Sequence, residues 1–211
     1  RDRLVHRVIY RSLYWFFHQI FIPDSFSCRL GKGTHKAINR FRVFAYQVSQ
    51  NHTRTIWVLK CDIKKFFASI DHEILLGLLK QRIPDSNIIW LLEQAIQSFH
   101  STRVGVGLPL GNVTSQLLVN IYLNEFDQFV KRELKVKYYL RYADDFVLLS
   151  DNRPWLEKQL LLINRFLTER LKLTLHPDKI SIQTVATGVD FLGWVNFPDH
   201  RILRMATKNR M

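Results

Sequence analysis

The stretch KYYLRYADDFVLLS, residues 137–150, sets two adjacent carboxylates, Asp144 and Asp145, between two apolar runs. Runs of this period and residue type read as β-strands, so the acids fall at the tip of a hairpin. Asp is a common turn residue, and a merely polar tip is the plain alternative to a functional one. Either way, any sheet this chain builds must carry this hairpin with its charge at one end.

The flanking segments say which sheet. Residues 55–62, TIWVLKCD, read as a buried strand ending on an acid, Asp62, and Asp71 is placed to cap the helix HEILLGLLK. Helices are expected at 86–99 and 112–133, then the hairpin over 138–150, a helix over 155–171, a short strand KLTLH at 172–176, and a last sheet segment GVDFLGWVNF. Upstream, Leu4, Val8, Ile9, Leu13, Phe16, Phe17 and Ile20 recur at helical spacing before Pro23. The Gly-bearing basic loop SCRLGKGTHKAINRF then leads into a second helix, with Thr34 as the expected cap. From residue 55 the order is strand, helices, hairpin, helix, strand. That order predicts an α+β fold on the split βαβ plan, an antiparallel sheet with helices on one face. In such a sheet the end of the first strand lies beside the hairpin tip, which brings Asp62 to Asp144 and Asp145.

Charge narrows the partner. A chain of 211 residues with 47% apolar content can bury a core as one large domain or two lobes. Its net charge of +13 favours a polyanion, either nucleic acid or an anionic membrane surface, although a solvated basic face is the simpler account. Most of the excess sits early: residues 1–60 hold eleven Lys and Arg, Arg1 and Arg3 among them, against Asp2 and Asp24. No apolar stretch approaches the ~20 residues of a membrane helix, and RDRLVHRVIY is not a secretory signal. Cys28 and Cys61 have neither zinc spacing nor a disulfide framework, so a cytoplasmic setting is expected by default. The absence of an initial Met suggests a piece of a longer protein.

Three gathered carboxylates repel one another, and divalent cations between them make the arrangement favourable. Hard oxygen ligands suit Mg²⁺, which takes one or two protein carboxylates and completes its shell with substrate phosphates and water. Two such ions about 4 Å apart stabilise the attacking and leaving oxygens of an in-line phosphoryl transfer. A surface acid cluster is the alternative, but these acids interrupt apolar strands in a basic chain.

In order and spacing, LKCDIKKFFASIDHEIL (59–75), GLPLGNVTSQLLVNIYLNEFDQFV (107–130), YADDFVLL (142–149), LTLHPDKI (173–180) and FLGW (191–194) resemble the successive palm motifs of reverse transcriptases, and SFSCRLGKGTHKAI (25–38) resembles their fingers motif. The resemblance implies a right-hand fingers–palm fold: fingers at 1–54, palm at 55–198, and at 199–211 the start of a connection to a thumb that this chain lacks. It implies RNA-directed DNA polymerase activity with two Mg²⁺ ions, for which Mn²⁺ can substitute, held by Asp62, Asp144, Asp145 and the backbone carbonyl of Ile63. Arg29 and Lys32 align with residues at the incoming triphosphate. Phe67 matches the ring that blocks a ribose 2′-OH, and Gly111 would let the backbone approach the nucleotide closely. Lys179 matches a lysine that protonates the leaving pyrophosphate, and Phe191, Leu192 and Gly193 match the primer grip. Ordinary readings stay open beside these: a basic loop for Arg29 and Lys32, a turn for Gly111 and Lys179, core packing for Phe191 and Trp194. The implied partners are an RNA template, a DNA or RNA primer, deoxynucleoside triphosphates and a basic accessory protein of a retroelement, in a prokaryotic or phage-infected cell interior.

One departure refines this. Group II intron enzymes carry Gln where this chain has Leu110 and Pro where it has Gln116. Leu110, Gly111, Ser115 and Gln116 instead fit the pattern of diversity-generating retroelement enzymes, whose misincorporation opposite template adenines diversifies a target gene. Group II intron and retron enzymes, or an RNA-binding module on the same fold, are the alternatives. Gln beside the nascent pair can make a hydrogen bond that Leu cannot, worth about 1 kcal/mol and so several-fold in discrimination. Leu110→Gln is therefore expected to lower errors at template adenines; an unchanged error spectrum in sequenced cDNA would leave Leu110 as a packing residue.

Overall fold

Strand β1 (Trp57–Asp62) runs antiparallel to both of its neighbours in a four-stranded sheet of order β2-β3-β1-β4, with β2 at Tyr139–Tyr142, β3 at Asp145–Ser150 and β4 at Ser181–Thr184. The computed structural model describes residues 2–101 and 103–208, apart from the side chains of Asp2, Arg3 and Val5. The charges of Arg1 and Arg3 and the end of the 199–211 segment therefore lie outside the described residues. The chain forms two units, one of residues 1–23, 63–129 and 164–174, the other of residues 24–62, 130–163 and 175–211.

The sheet lies wholly in the second unit. Opposed residues of an antiparallel pair share a face, so Val58, Lys60 and Asp62 stand with Leu149, Val147 and Asp145. The apolar part of that face is covered by helix α2 (Thr34–Val48), whose Phe41, Phe44 and Ala45 join Val58, Leu140, Val147 and Leu149 in one buried cluster. Leu59, Cys61, Phe146 and Leu148, on the opposite face, are buried as well. A second antiparallel sheet, β5 (Val189–Phe191), β6 (Trp194–Asn196) and β7 (Arg201–Leu203), belongs to the same unit. Phe191 reaches the first core, its ring 5.8 Å from that of Phe41. The loop before α2 is tied to β2, because Phe26 N donates to Arg141 O and Arg141 N to Asp24 O.

The first unit is helical: α1 (Asp2–His18), α3 (His72–Lys80), α4 (Ser86–Gln97), α5 (Val113–Gln128) and the end of α6 (Arg153–Leu171). Helix α5 is buried on nearly every side, as a central helix must be. Its Tyr122 hydroxyl donates to Leu171 O at 2.7 Å, and its Thr114 hydroxyl meets His6 Nδ1 of α1 at 2.6 Å.

Several expectations need correction. Residues 172–176 form no strand; the fourth strand is Ser181–Thr184, after a 3-10 turn at Pro177–Lys179. Leu173 N instead donates to Leu167 O, fastening this segment to the end of α6. Thr34 does not cap α2. Gly33, at φ 119°, holds the cap position without a side-chain bond, and the Thr34 hydroxyl donates to Tyr142 Oη at 3.1 Å. On α1 the periodic apolar set splits: Ile9, Leu13 and Phe17 are buried, but Leu4, Val8 and Phe16 are exposed. Apolar residues lie all around this helix, so spacing could not say which stripe packs. Strand β7 was not foreseen, being too short for alternation to register.

Asp71 does cap α3, its Oδ1 accepting from Ile74 N at 3.1 Å while Oδ2 accepts from Lys172 Nζ at 2.6 Å. Asp71→Ala is expected to cost about 2 kcal/mol through the lost cap and its buried bonds. Lys172→Ala, which removes a half-exposed ammonium, should cost less; equal losses in urea unfolding would mean that the ion pair, not the cap, holds the helix.

Candidate active site

The three acids converge because two strands end at the same level. Asp62 closes β1, Asp145 opens β3, and the two are directly paired in the antiparallel ladder. Asp144 sits in the two-residue turn between β2 and β3. That turn is strained: Ala143 is at φ 53°, a region non-glycine residues seldom adopt. The fully buried Arg141 supports it by donating from Nη1 to Ala143 O at 3.0 Å. On the other side, His176 N donates to Asp62 O at 2.8 Å and Lys179 N to His176 O at 3.0 Å, which seats the Pro177–Lys179 turn against the end of β1. Lys179 Nζ then donates to Asp62 Oδ2 at 3.0 Å.

The electrostatics are those of crowded carboxylates. Burial raises the pKa of Asp145 to about 6, with repulsion from Asp62 and Asp144 adding to it and Lys60 opposing it. Asp144 is also raised, first by burial and then by Asp62. The hydrogen bond to Asp62 raises the Lys179 ammonium. Asp145 Oδ1 is buried and has no hydrogen-bond partner; Lys60 Nζ, at 3.8 Å, is too far to supply one. Asp62, Asp145 and both lysines line a cleft of about 340 Å³ together with Ser181, Gln183 and the Arg204–Asp190 ion pair.

Lys60 was missed in the sequence, although strand period placed it on the same face as Asp62. Its position within a buried strand was the signal, because a Lys there must reach either solvent or an acid.

The remaining expected residues are placed as follows. Arg29 Nη1 donates to Ser25 Oγ and Ser25 O, and Lys32 Nζ lies 5.0 Å from the Phe26 ring centre; burial, then the Arg29 charge, lowers its pKa. Both therefore belong to a loop folded on itself. Phe191 is fully buried, so only Leu192 and Gly193 form the turn between β5 and β6; both have positive φ, 53° and 82°, as hairpin turns of this length require. Ile63, Phe67, Leu110 and Gly111 belong to the helical unit. Ile63 is buried, and Phe67 is half-buried beside the buried Phe66. Phe67 O accepts from Leu108 N at 2.8 Å, joining the segment after β1 to the one before α5. Leu110 is 77% exposed, so it does not pack in this unit, and Gly111 has φ 92° in open space.

The donor set suits a hard divalent ion. Asp145, with an unpartnered buried oxygen, is paired across the ladder with Asp62, and all the donors are oxygens. Among the described residues, no three His, Cys, Asp or Glu side chains are already assembled as a metal cage; Mg²⁺ needs only one or two protein carboxylates when phosphates and water complete its shell. Among the described residues, no helix is long and apolar enough to cross a membrane.

Comparison with known proteins agrees with this geometry. Residues 1–195 match the family model described as reverse transcriptase (RNA-dependent DNA polymerase), and the chain belongs to that family. It is 29% identical to Protein YkfC of Escherichia coli over 99% of its own length, covering 62% of that protein. It is 24% identical to the group II intron-encoded protein LtrA of Lactococcus lactis over 99% of its length, covering 44% of that protein. It thus spans less than two thirds of either relative. Apo telomerase from Candida tropicalis shares its fold with a TM-score of 0.69 at 12% identity, over 95% of this chain and 40% of that one.

Asp145 has a consequence for stability. Its folded pKa, about 6, lies above the ordinary value of 3.8, so between these values the folded state holds a proton that the unfolded state has lost. Its contribution to stability therefore falls as pH rises from about 4 to about 6 and stays low above that. Asp145→Asn is expected to gain on the order of 2 kcal/mol relative to the parent between pH 4 and pH 7 in chelator. Thermal unfolding at both pH values tests this, and a gain independent of pH would refute it.

Proposed function

We propose that this chain is the catalytic part of an RNA-directed DNA polymerase, with residues 1–54 as fingers and 55–198 as palm. The observation that carries the reading is the Asp62–Asp145 pair, with Asp144 in the adjoining turn, at the mouth of a cleft in a family member. Asp62, Asp144, Asp145 and the Ile63 carbonyl would hold Mg²⁺, which when bound supplies charge neutralisation for in-line nucleotidyl transfer. Lys179, hydrogen-bonded to Asp62, would hand a proton to leaving pyrophosphate. Arg29 and Lys32 offer cations to the triphosphate, and a guanidinium fork suits phosphate oxygens. Phe67 selects against a ribose 2′-OH, Gly111 gives close backbone approach, and the Leu192–Gly193 turn contacts the primer. An RNA template is supported by a fold neighbour, the telomerase of Candida albicans, solved in complex with a fragment of telomeric RNA.

Leu110, Gly111, Ser115 and Gln116 favour the error-prone enzyme of a diversity-generating retroelement, acting with a basic accessory protein in a prokaryotic or phage-infected cell. A group II intron enzyme is the second reading, favoured by the similarity to LtrA. Error-prone cDNA with changes concentrated at template adenines supports the first, and accurate cDNA the second.

Primer extension on an RNA template with Mg²⁺ and deoxynucleotides tests the activity. Asp62→Asn and Asp144→Asn are each expected to lower it by roughly 100- to 1000-fold, since they remove several kcal/mol of charge stabilisation. Activity that survives both substitutions would exclude these acids as the catalytic centre.

A further inference from the structure

Lys60 is an unusual neighbour for carboxylates that must bind cations. It lies in an interior strand of the sheet, on the acid face, with its side chain only 20% exposed. Its Nζ is 3.8 Å from Asp145 Oδ1, an oxygen that has no hydrogen-bond partner. This is attraction at a distance. The oxygen is buried and unpaired while a positive charge stands beside it.

Lys179 behaves differently. It bonds Asp62 directly at 3.0 Å, but its side chain is 53% exposed and sits on a short turn, so it can swing into solvent when a cation takes its place. Lys60 cannot. Its backbone is held in the ladder, and its stem rises between its neighbours Val147 on β3 and Ser181 on β4. Any divalent ion at the Asp145 carboxylate must therefore bind within several ångströms of a fixed ammonium.

We propose that Lys60 is a positioning residue that weakens divalent-ion binding at Asp145 in the empty enzyme and so couples that binding to the arrival of the nucleotide triphosphate. The negative charge of the triphosphate offsets the ammonium, so the ion is held firmly only when substrate is present. The inference rests on the preceding reading of the acids as a metal site.

The test is Mn²⁺ binding at pH 8, followed by electron paramagnetic resonance of free Mn²⁺, without nucleotide and then with a non-hydrolysable deoxynucleotide analogue. Without nucleotide, Lys60→Met is expected to bind Mn²⁺ roughly tenfold more tightly than the parent, the size of a like-charge repulsion at such range in a wet cleft. Lys60→Arg should bind as the parent does, and the advantage of Lys60→Met should shrink once the analogue is bound. Should Lys60→Met not fold, as judged by its thermal transition, Lys60→Gln carries the same expectation. Unchanged or weaker binding in the neutral variants overturns the proposal while leaving the metal site standing. Failure of the parent to show any Mn²⁺ binding that Asp145→Asn removes overturns the metal reading itself, and the role of Lys60 with it.

Discussion

The register between β1 and β3 is the constraint on which the site depends. With Asp62 opposite Asp145, Val58 stands opposite Leu149 and all of them share one face. A slip of one residue would turn one strand's whole set to the other side. That slip is prevented far from the acids, where Val58, Val147 and Leu149 are packed under Phe41, Phe44 and Ala45 of α2. Burial of such side chains is worth about 1.5–3 kcal/mol each, enough to fix the register against the repulsion of the carboxylates at its end. The core and the site are thus two consequences of one pairing.

Stability is given up locally where the acids meet. Asp145 keeps an unpartnered buried oxygen, Ala143 adopts a left-handed conformation, and two raised carboxylates stand next to a third. Strain of this kind persists only where surrounding structure over-determines it. Here Arg141 holds the turn from below, and the bonds of residues 176–179 hold the end of β1. Charge is handled similarly. The chain is strongly basic, yet its cations are committed in different ways: Lys179 to Asp62, Arg40 to Asp24, Arg29 to Ser25. The basic loop before α2 is a folded element anchored on β2, not a loose solvated strip.

Much of this was legible in the sequence. The hairpin around Asp144 and Asp145, the strand ending on Asp62 and the helix capped by Asp71 each carry a local signal, either apolar alternation or a capping side chain. The antiparallel plan followed from their order. The strand expected at 172–176 failed because KLTLH has strand-like residues but its backbone groups bond to α6 and to the end of β1. Thr34 failed as a cap because its hydroxyl had a better partner in Tyr142, distant in sequence. A Lys within a buried strand was a local signal, but that Lys60 meets Asp145 depends on which residue stands diagonally across the ladder, and no local pattern reports that.

The sequence by itself determined most of the elements, their order and the candidate acids, since period, turn chemistry and capping are encoded within a few residues. Only the tertiary structure decided which stripe of α1 is buried, that Leu110 is exposed while Phe191 is not, and that Lys60 and Lys179 face the carboxylates from a strand and a turn. Those outcomes are set by contacts between segments far apart in the chain, and distance in space is the one quantity that a linear pattern does not carry.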